Sequence, residues 1–544
     1  MIRFPNSLAQ ESRFDMTAQT TTKWWTLGVV SVATFMLLLD ITVVNTALPA
    51  IEEDLGASFT DLQWVVDAYT LTLAAFVLTA GSLADRLGRR RVFAIGLGIF
   101  SIASLVAGFA TDPTFLNIAR GAQGVGGAVM FAVSLALIAQ EFPAGRERGV
   151  AMGVYGATIG LAVAFGPLVG GVVVDSLGWE WIFFLNVPIG VAAIAITYLR
   201  VRESSDPNAT RVDWAGLLTF STSLFLLVLA LIQGNEEGWG SPLIVGLFAG
   251  AALLLAAFVA VERSAAEPML PLGLFRRPAF TGVQIAAFGI SASMFALFLY
   301  MTLYLQSFLG HSPTEAGLRY LPLTVAVFLV APIAGALLSR VHARVMLSLG
   351  LVGAGAGLML IAGVDAADDW TGLLGGFIVA GAGIGLLNPV VADVAVSVVP
   401  KEQSGMASGI NDTFRQVGVA LGVAVWGAIF LGRGSSKVEE LTGLGPDRSR
   451  ELVEAVSSGN LDQALTQVPA GSREQVADAA REGFLAGFND ISVLGGVLAF
   501  AAAIGAFWLV RERDIERGEV ETVEPEVEPE VAPRATVMPE PVAA

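Results

Sequence analysis

The chain has 544 residues, 54% of them hydrophobic and 15% charged, with a formal net charge of −17 and a mean hydropathy of +0.69. Soluble proteins carry roughly 25% charged residues, so an ordinary soluble globule is excluded. The absence of cysteine excludes disulfides and thiolate metal sites, and His311 and His342 alone cannot build a conventional zinc centre; no metal and no cofactor are expected.

Before Lys23 the chain is mostly polar, and Met16 offers an alternative start. The first apolar stretch, Trp24 to Leu48, is too long for a signal-peptide core and lacks a convincing small-residue cleavage site. About 20 apolar residues cross a hydrocarbon core of about 30 Å, because a helix rises about 1.5 Å per residue. Only helices satisfy their own backbone groups segment by segment in lipid. By that measure about fourteen spans follow in order: 25–48, 62–82, 92–110, 115–140, 150–174, 181–199, 213–233, 241–261, 279–308, 315–339, 344–363, 371–399, 405–432 and 489–510. An even number puts both termini on one side. The tail from Glu512, rich in Glu, Pro and Val, reads as disordered.

Arginine decides which side. One set of short connections holds Arg86, Arg89, Arg90 and Arg91, then Arg146 and Arg148, Arg200 and Arg202, Arg276 and Arg277, and Arg340 and Arg344. The opposite set has almost no Lys or Arg. The positive-inside rule makes the first set and both termini cytoplasmic, in the cell (inner) membrane, and puts the long segment 432–489 outside.

Charges inside spans are costly, roughly 2.5–3.5 kcal/mol each at the bilayer centre, and should face a partner or a cavity. Asp40 lies roughly 13 Å from the outer end of its span, and Asp67 and Arg120 each roughly 8 Å deep. Desolvation and a nearby arginine pull a carboxylate in opposite directions, which is what a proton carrier needs; a fixed pair of Asp40 or Asp67 with Arg120 is the plainer alternative. In the fifth span Gly156, Gly160, Gly166, Pro167, Gly170 and Gly171 remove side chains, so that helices can touch. Asp393, Asp412 and Arg415 sit in the inner half of the later spans. Asp412 and Arg415, spaced i, i+3, share a helix face, and a self-neutralised pair competes with a role in coupling or substrate contact. Asp85 and Arg86, with Gly81, Gly88, Arg89 and Arg90 in a tight turn, read either as a topology anchor or as a latch whose ion pair joins two bundles in one access state. Phe295, Phe298, Tyr300 and Tyr304 are expected to pack against the bundle or lipid rather than line a cavity.

The chain also repeats. GSLADRLGRRR from Gly81 matches GALLSRVHAR from Gly335, and GVAMG from Gly149 matches GMASG from Gly405 at nearly the same offset. This implies parallel halves of six helices with two extra helices between them. The expected division is a cytoplasmic tail 1–23, a first bundle 24–200, two extra helices with linkers 201–278, a second bundle 279–511 carrying the outer loop 432–489, and an acidic tail 512–544.

GSLADRLGRRR resembles the loop between the second and third helices of the major facilitator superfamily. LDITVVNTALP from Leu39, RGAQGVGGA from Arg120, GATIGLAVAFGPLVGG from Gly156, WEWIFFLNVPIG from Trp179 and NDTFRQVGVALG from Asn411 resemble, in order, motifs of its fourteen-helix drug:proton antiporter family. The resemblance spans nearly every helix and implies an all-α membrane protein with the major facilitator fold. It implies that the fifth-span glycine motif separates exporters from importers. Glu180, where the family usually has a basic residue, and Asp67, where the second helix is usually uncharged, depart from the pattern and bear on proton coupling.

No Walker A sequence is present, since none of Lys23, Lys401 and Lys437 follows a glycine, and no HExxH or GxSxG occurs. An ATP pump within this chain is excluded, and an enzyme has little support. A potential of about 150 mV supplies roughly 3.5 kcal/mol per charge, enough for useful efflux with one proton per cycle. The leading expectation is a proton-coupled exporter of drugs or other amphipathic or cationic small molecules, with the lipid bilayer as its medium, no nucleic acid partner, and a monomeric state. Export of a metabolite, siderophore or lipid, and a non-transporting sensor, stay open as alternatives.

Overall fold

The computed structural model describes residues 7–57, 59–143, 145–205, 212–265, 268–338, 340–366 and 368–515. Expectations for the tail beyond residue 515 and for the first six residues lie outside these. Among the described residues twelve helices are long and apolar enough to cross a membrane. Two further ones complete fourteen: Arg146–Leu177, and the shorter Leu321–Leu337.

The first bundle contains α1 (Ser7–Leu55), α2 (Phe59–Leu87), α3 (Arg89–Ala107), α4 (Pro113–Glu141), α5 (Arg146–Leu177) and α6 (Trp181–Arg200). The inserted pair is α7 (Trp214–Glu237) and α8 (Pro242–Ser264). The second bundle contains α9 (Pro278–Phe308), α10 (Leu321–Leu337), α11 (Ala343–Ile361), α12 (Leu374–Ser397), α13 (Ser404–Thr442) and α14 (Arg473–Leu509). Local chemistry sets the starts. Asp112 accepts the Phe115 N–H ahead of Pro113, and Ser241 accepts the Ile244 N–H ahead of Pro242, so side-chain oxygens satisfy N–H groups that have no partner within the helix. Gly88, with φ of 103°, turns α2 into α3 in a conformation that a side chain would strain.

The halves meet along two seams, α2 against α13 and α5 against α10. The repeated glycines lie in them. A Cβ on Gly81 would overlap the Gly405 carbonyl, and Gly149 and Gly335 press on each other in the same way. Each repeated motif of one half therefore packs against the other motif of the second half, as a two-fold relation requires. Helix α7 packs beside the first seam, where Thr79 and Ser221 hydroxyls meet at 2.7 Å, while α8 packs mainly on α7.

The expected outer loop 432–489 is mostly helical. Helices α13, with 39 residues, and α14, with 37, run to about 58 and 55 Å, far beyond the hydrocarbon core. Between them Pro446–Ser457 buries Ser449, Leu452, Val453 and Val456, a helical spacing, against Val438 and Phe484 of the long helices. The i, i+4 pair Arg450–Glu454 at 2.9 Å faces outward. A strongly polar composition hid this small core from a reading based on apolar runs.

Candidate transport machinery

Inside the first bundle, side chains of α4 and α6 converge on one carboxylate of α1. Asp40 of α1 is buried, and Arg120 of α4 reaches its Oδ2 at 2.5 Å. Gln123 Nε2 donates to Oδ1 at 2.8 Å and Asn186 Nδ2 at 3.0 Å. Arg120 also donates to Val65 O and to Gln123 Oε1 and lies 4.4 Å from the Tyr69 ring centroid. Ser104 of α3 accepts from Gln123 and Asn186 and donates to Phe183 O. The network engages both oxygens of Asp40, which is how a buried charge is accommodated. Of the expected trio, Asp40 and Arg120 meet; Asp67 is half-buried on α2. Nothing in the sequence singles out Ser104, Gln123 and Asn186, because neutral polar side chains carry no charge signal in an apolar span.

The arginine-rich ends of the halves are closed on each other. The expected inter-bundle ion pair of Asp85 is not how this happens. Asp85 pairs with Arg89, four residues on, at 2.7 Å, within its own half. Across the seam its Oδ1 accepts the Gly405 N–H at 3.0 Å and its Oδ2 the Met406 N–H at 2.7 Å. Arg89 donates to Lys401 O and Glu402 O. The physical reason is the start of α13, whose free N–H groups attract an anion. Arg86 turns to Ser82 and to Pro268 O, and Arg90 and Arg91 to Glu203. A true inter-half ion pair exists elsewhere: Arg148 of α5 meets Asp393 of α12 at 3.3 Å. The sequence marks Asp393 only as a residue for coupling or substrate contact.

The fifth-helix glycines serve two sides. A Cβ at Gly156 would crowd Pro389, and at Gly160 Val327, both in the second half; at Gly166 and Gly170 it would crowd Thr42 and Thr46 of α1, and at Gly171 Thr314. The Pro167 side chain lies outside the described residues. The aromatic residues of α9 are packed: Tyr304 stacks on Phe308 and Phe488, and Tyr300 donates to Val423 O.

Asp412 and Arg415, three residues apart on α13, lie within electrostatic reach of each other, as their spacing allows. Arg415 lies over the Phe295 ring, 5.7 Å from its centroid, and Asp412 Oδ2 is buried without a hydrogen-bond partner. A guanidinium over an aromatic face gains cation–π energy as well.

Two repeated six-helix bundles, joined at glycine seams and holding buried charges in the membrane, define a polytopic secondary transporter. The chain belongs to the Major Facilitator Superfamily, whose family model matches residues 30–423. It is 33% identical over 506 residues to the multidrug resistance protein Stp of Mycobacterium tuberculosis, covering 91% of this chain and 93% of that one. It is 36% identical over 468 residues to the puromycin resistance protein pur8 of Streptomyces alboniger, covering 84% and 93%. The solved structure of the proton:xylose symporter XylE superposes with a TM-score of 0.59 at 15% identity, covering 91% and 97%, and shares the fold.

Proposed function

We propose that this protein exports drug-like amphipathic molecules by alternating access, exchanging them for protons, with the arginine-rich ends and both termini in the cytoplasm of the cell membrane. The names of its relatives, a multidrug resistance protein and a puromycin resistance protein, support the substrate class. The observation that carries the coupling is the buried contact of Asp40 with Arg120. A proton placed on Asp40 removes the charge that Arg120 neutralises and frees Gln123 and Asn186 to rearrange. Because these residues come from α1, α4 and α6, that local change alters how the first bundle packs. The Asp85–Arg89 contacts and the Arg148–Asp393 pair hold the cytoplasmic side shut, and the seam reopens when the bundle repacks. Asp67, facing the outer half, is proposed as a second site that proton or cation can visit.

Full-length protein in proteoliposomes tests this. Substrate addition should drive a proton flux, and an imposed proton gradient should drive substrate uphill. A panel of amphipaths that moves no proton and accumulates nowhere would point instead to a membrane sensor.

A further inference from the structure

Where α11 begins and α14 ends, basic side chains gather at the edge of the lipid. His342, Arg344, Arg511, Glu512 and Arg513 line a recess of about 400 Å³, in which three guanidiniums outnumber one carboxylate. Arg344, Arg511 and Arg513 are exposed. Arg513 pairs with its neighbour Asp514 at 3.8 Å; among the described residues no ion pair engages Arg344 or Arg511. Other arginines at this end are committed to the protein itself: Arg89 to Asp85, Arg148 to Asp393, and Arg90 and Arg91 to Glu203. Orientation in the membrane asks only for positive charge in a loop, not for its convergence on one recess.

The recess adjoins a lipid-facing stripe. Ile504, Phe507 and Trp508 of α14 are exposed and share one helix face at the spacing i, i+3, i+4. Trp508, 72% exposed, stands where an aromatic side chain marks the boundary between hydrocarbon and headgroups. Arg511 follows it by less than a turn. Arg344 reaches across from α11 and holds its guanidinium 5.4 Å from the Phe507 ring centroid, a cation–π contact that sets the charge at the end of the apolar stripe.

We propose that this corner binds an anionic phospholipid, with Arg344 and Arg511 on its phosphate and an acyl chain along Ile504, Phe507 and Trp508. A guanidinium matches a phosphate with paired N–H donors. A free phosphate would satisfy the arginines; only a lipid also covers the apolar stripe. The bound lipid ties the start of α11 to the chain just past α14. There Leu509 and Val510 press on Gly282 of α9, so one lipid braces three helices of the second bundle.

The test titrates purified full-length protein in detergent with dioleoylphosphatidylglycerol or dioleoylphosphatidylcholine and counts bound lipid by native mass spectrometry. The anionic lipid should bind more tightly. Arg344→Gln and Arg511→Gln should each weaken it about fivefold, as expected for one arginine near an anionic surface, and leave the zwitterionic lipid unchanged. Arg200→Gln, which removes an exposed charge at the same end of the first bundle, should change neither. Equal losses in Arg200→Gln would mean diffuse attraction and overturn the site, as would equal binding of the two lipids. Inorganic phosphate should not displace the anionic lipid; displacement at matched concentration would make the ligand a free phosphate and refute the lipid. Should Arg344→Gln fail to insert, Arg344→Lys, which keeps the charge but loses the paired donors, and Arg511→Gln carry the same comparison.

Discussion

Gly149 of α5 and Gly335 of α10 meet backbone to backbone, each carbonyl filling the place where the other's side chain would stand. The contact lies at the arginine-rich end of its seam, and Gly81 with Gly405 makes the equivalent contact in the other seam. No larger residue fits without moving one half.

Gly149→Val should therefore disfavour the closed arrangement. Overpacking of this kind costs about 1–3 kcal/mol, and the affected residues bridge the halves rather than fill one of them. Insertion should be normal while transport falls about tenfold or more. Disulfide trapping between cysteines introduced on either side of the seam, in a chain that has none of its own, should slow in parallel. Unchanged trapping would mean that the seam tolerates the added bulk.

Asp85→Asn should slow transport without affecting membrane insertion. The carboxylate holds two backbone N–H groups of α13 and the Arg89 guanidinium, and hydrogen bonds to a charged group contribute about 1.5–3 kcal/mol each. Turnover in vesicles, at matched expression, is the measurement. Wild-type turnover would reduce the loop to an anchor.

Asp40→Asn should abolish gradient-driven export. It also leaves Arg120 buried without its counter-charge, which costs about 3–5 kcal/mol, so the melting temperature should fall as well. Gln123→Ala and Asn186→Ala remove single donors and should give smaller losses of both kinds. Uphill export by Asp40→Asn at the normal rate would place the proton elsewhere.

A single cysteine at Ser457 should be labelled by an impermeant reagent from outside the cell and not from the cytoplasm. Ser457 ends the helix that caps α13 and α14. Labelling only from the cytoplasmic side would reverse the proposed orientation.

Much of this architecture can be read before any coordinates. The GSLADRLGRRR and GVAMG motifs announce two halves because close helix approach demands glycine at fixed places, and their cross-packing follows from the repeat. Asp40 and Arg120 stand out because charge is expensive in lipid. Gln123 and Asn186 do not, since an amide in an apolar span carries no comparable signal. The pairing of Arg148 with Asp393 joins residues far apart in sequence and depends on how α5 meets α12. The helix Pro446–Ser457 was legible in the spacing of Ser449, Leu452, Val453 and Val456, but hydropathy alone passes over it.

The length of α13 has a mechanical consequence. One unbroken rod carries Gly405 and Met406, which Asp85 grips, at one end and the cap built on Pro446–Ser457 at the other. Over about 58 Å, a rocking of about 15°, the size of known rigid-body switches, sweeps the far tip through roughly 15 Å. The cap is thus a lever that magnifies the motion of the second bundle. A fluorophore there would report each turnover from the end remote from the arginine-rich loops, and a binder that clamps the cap to α14 and its neighbours would stall the cycle without touching the substrate path.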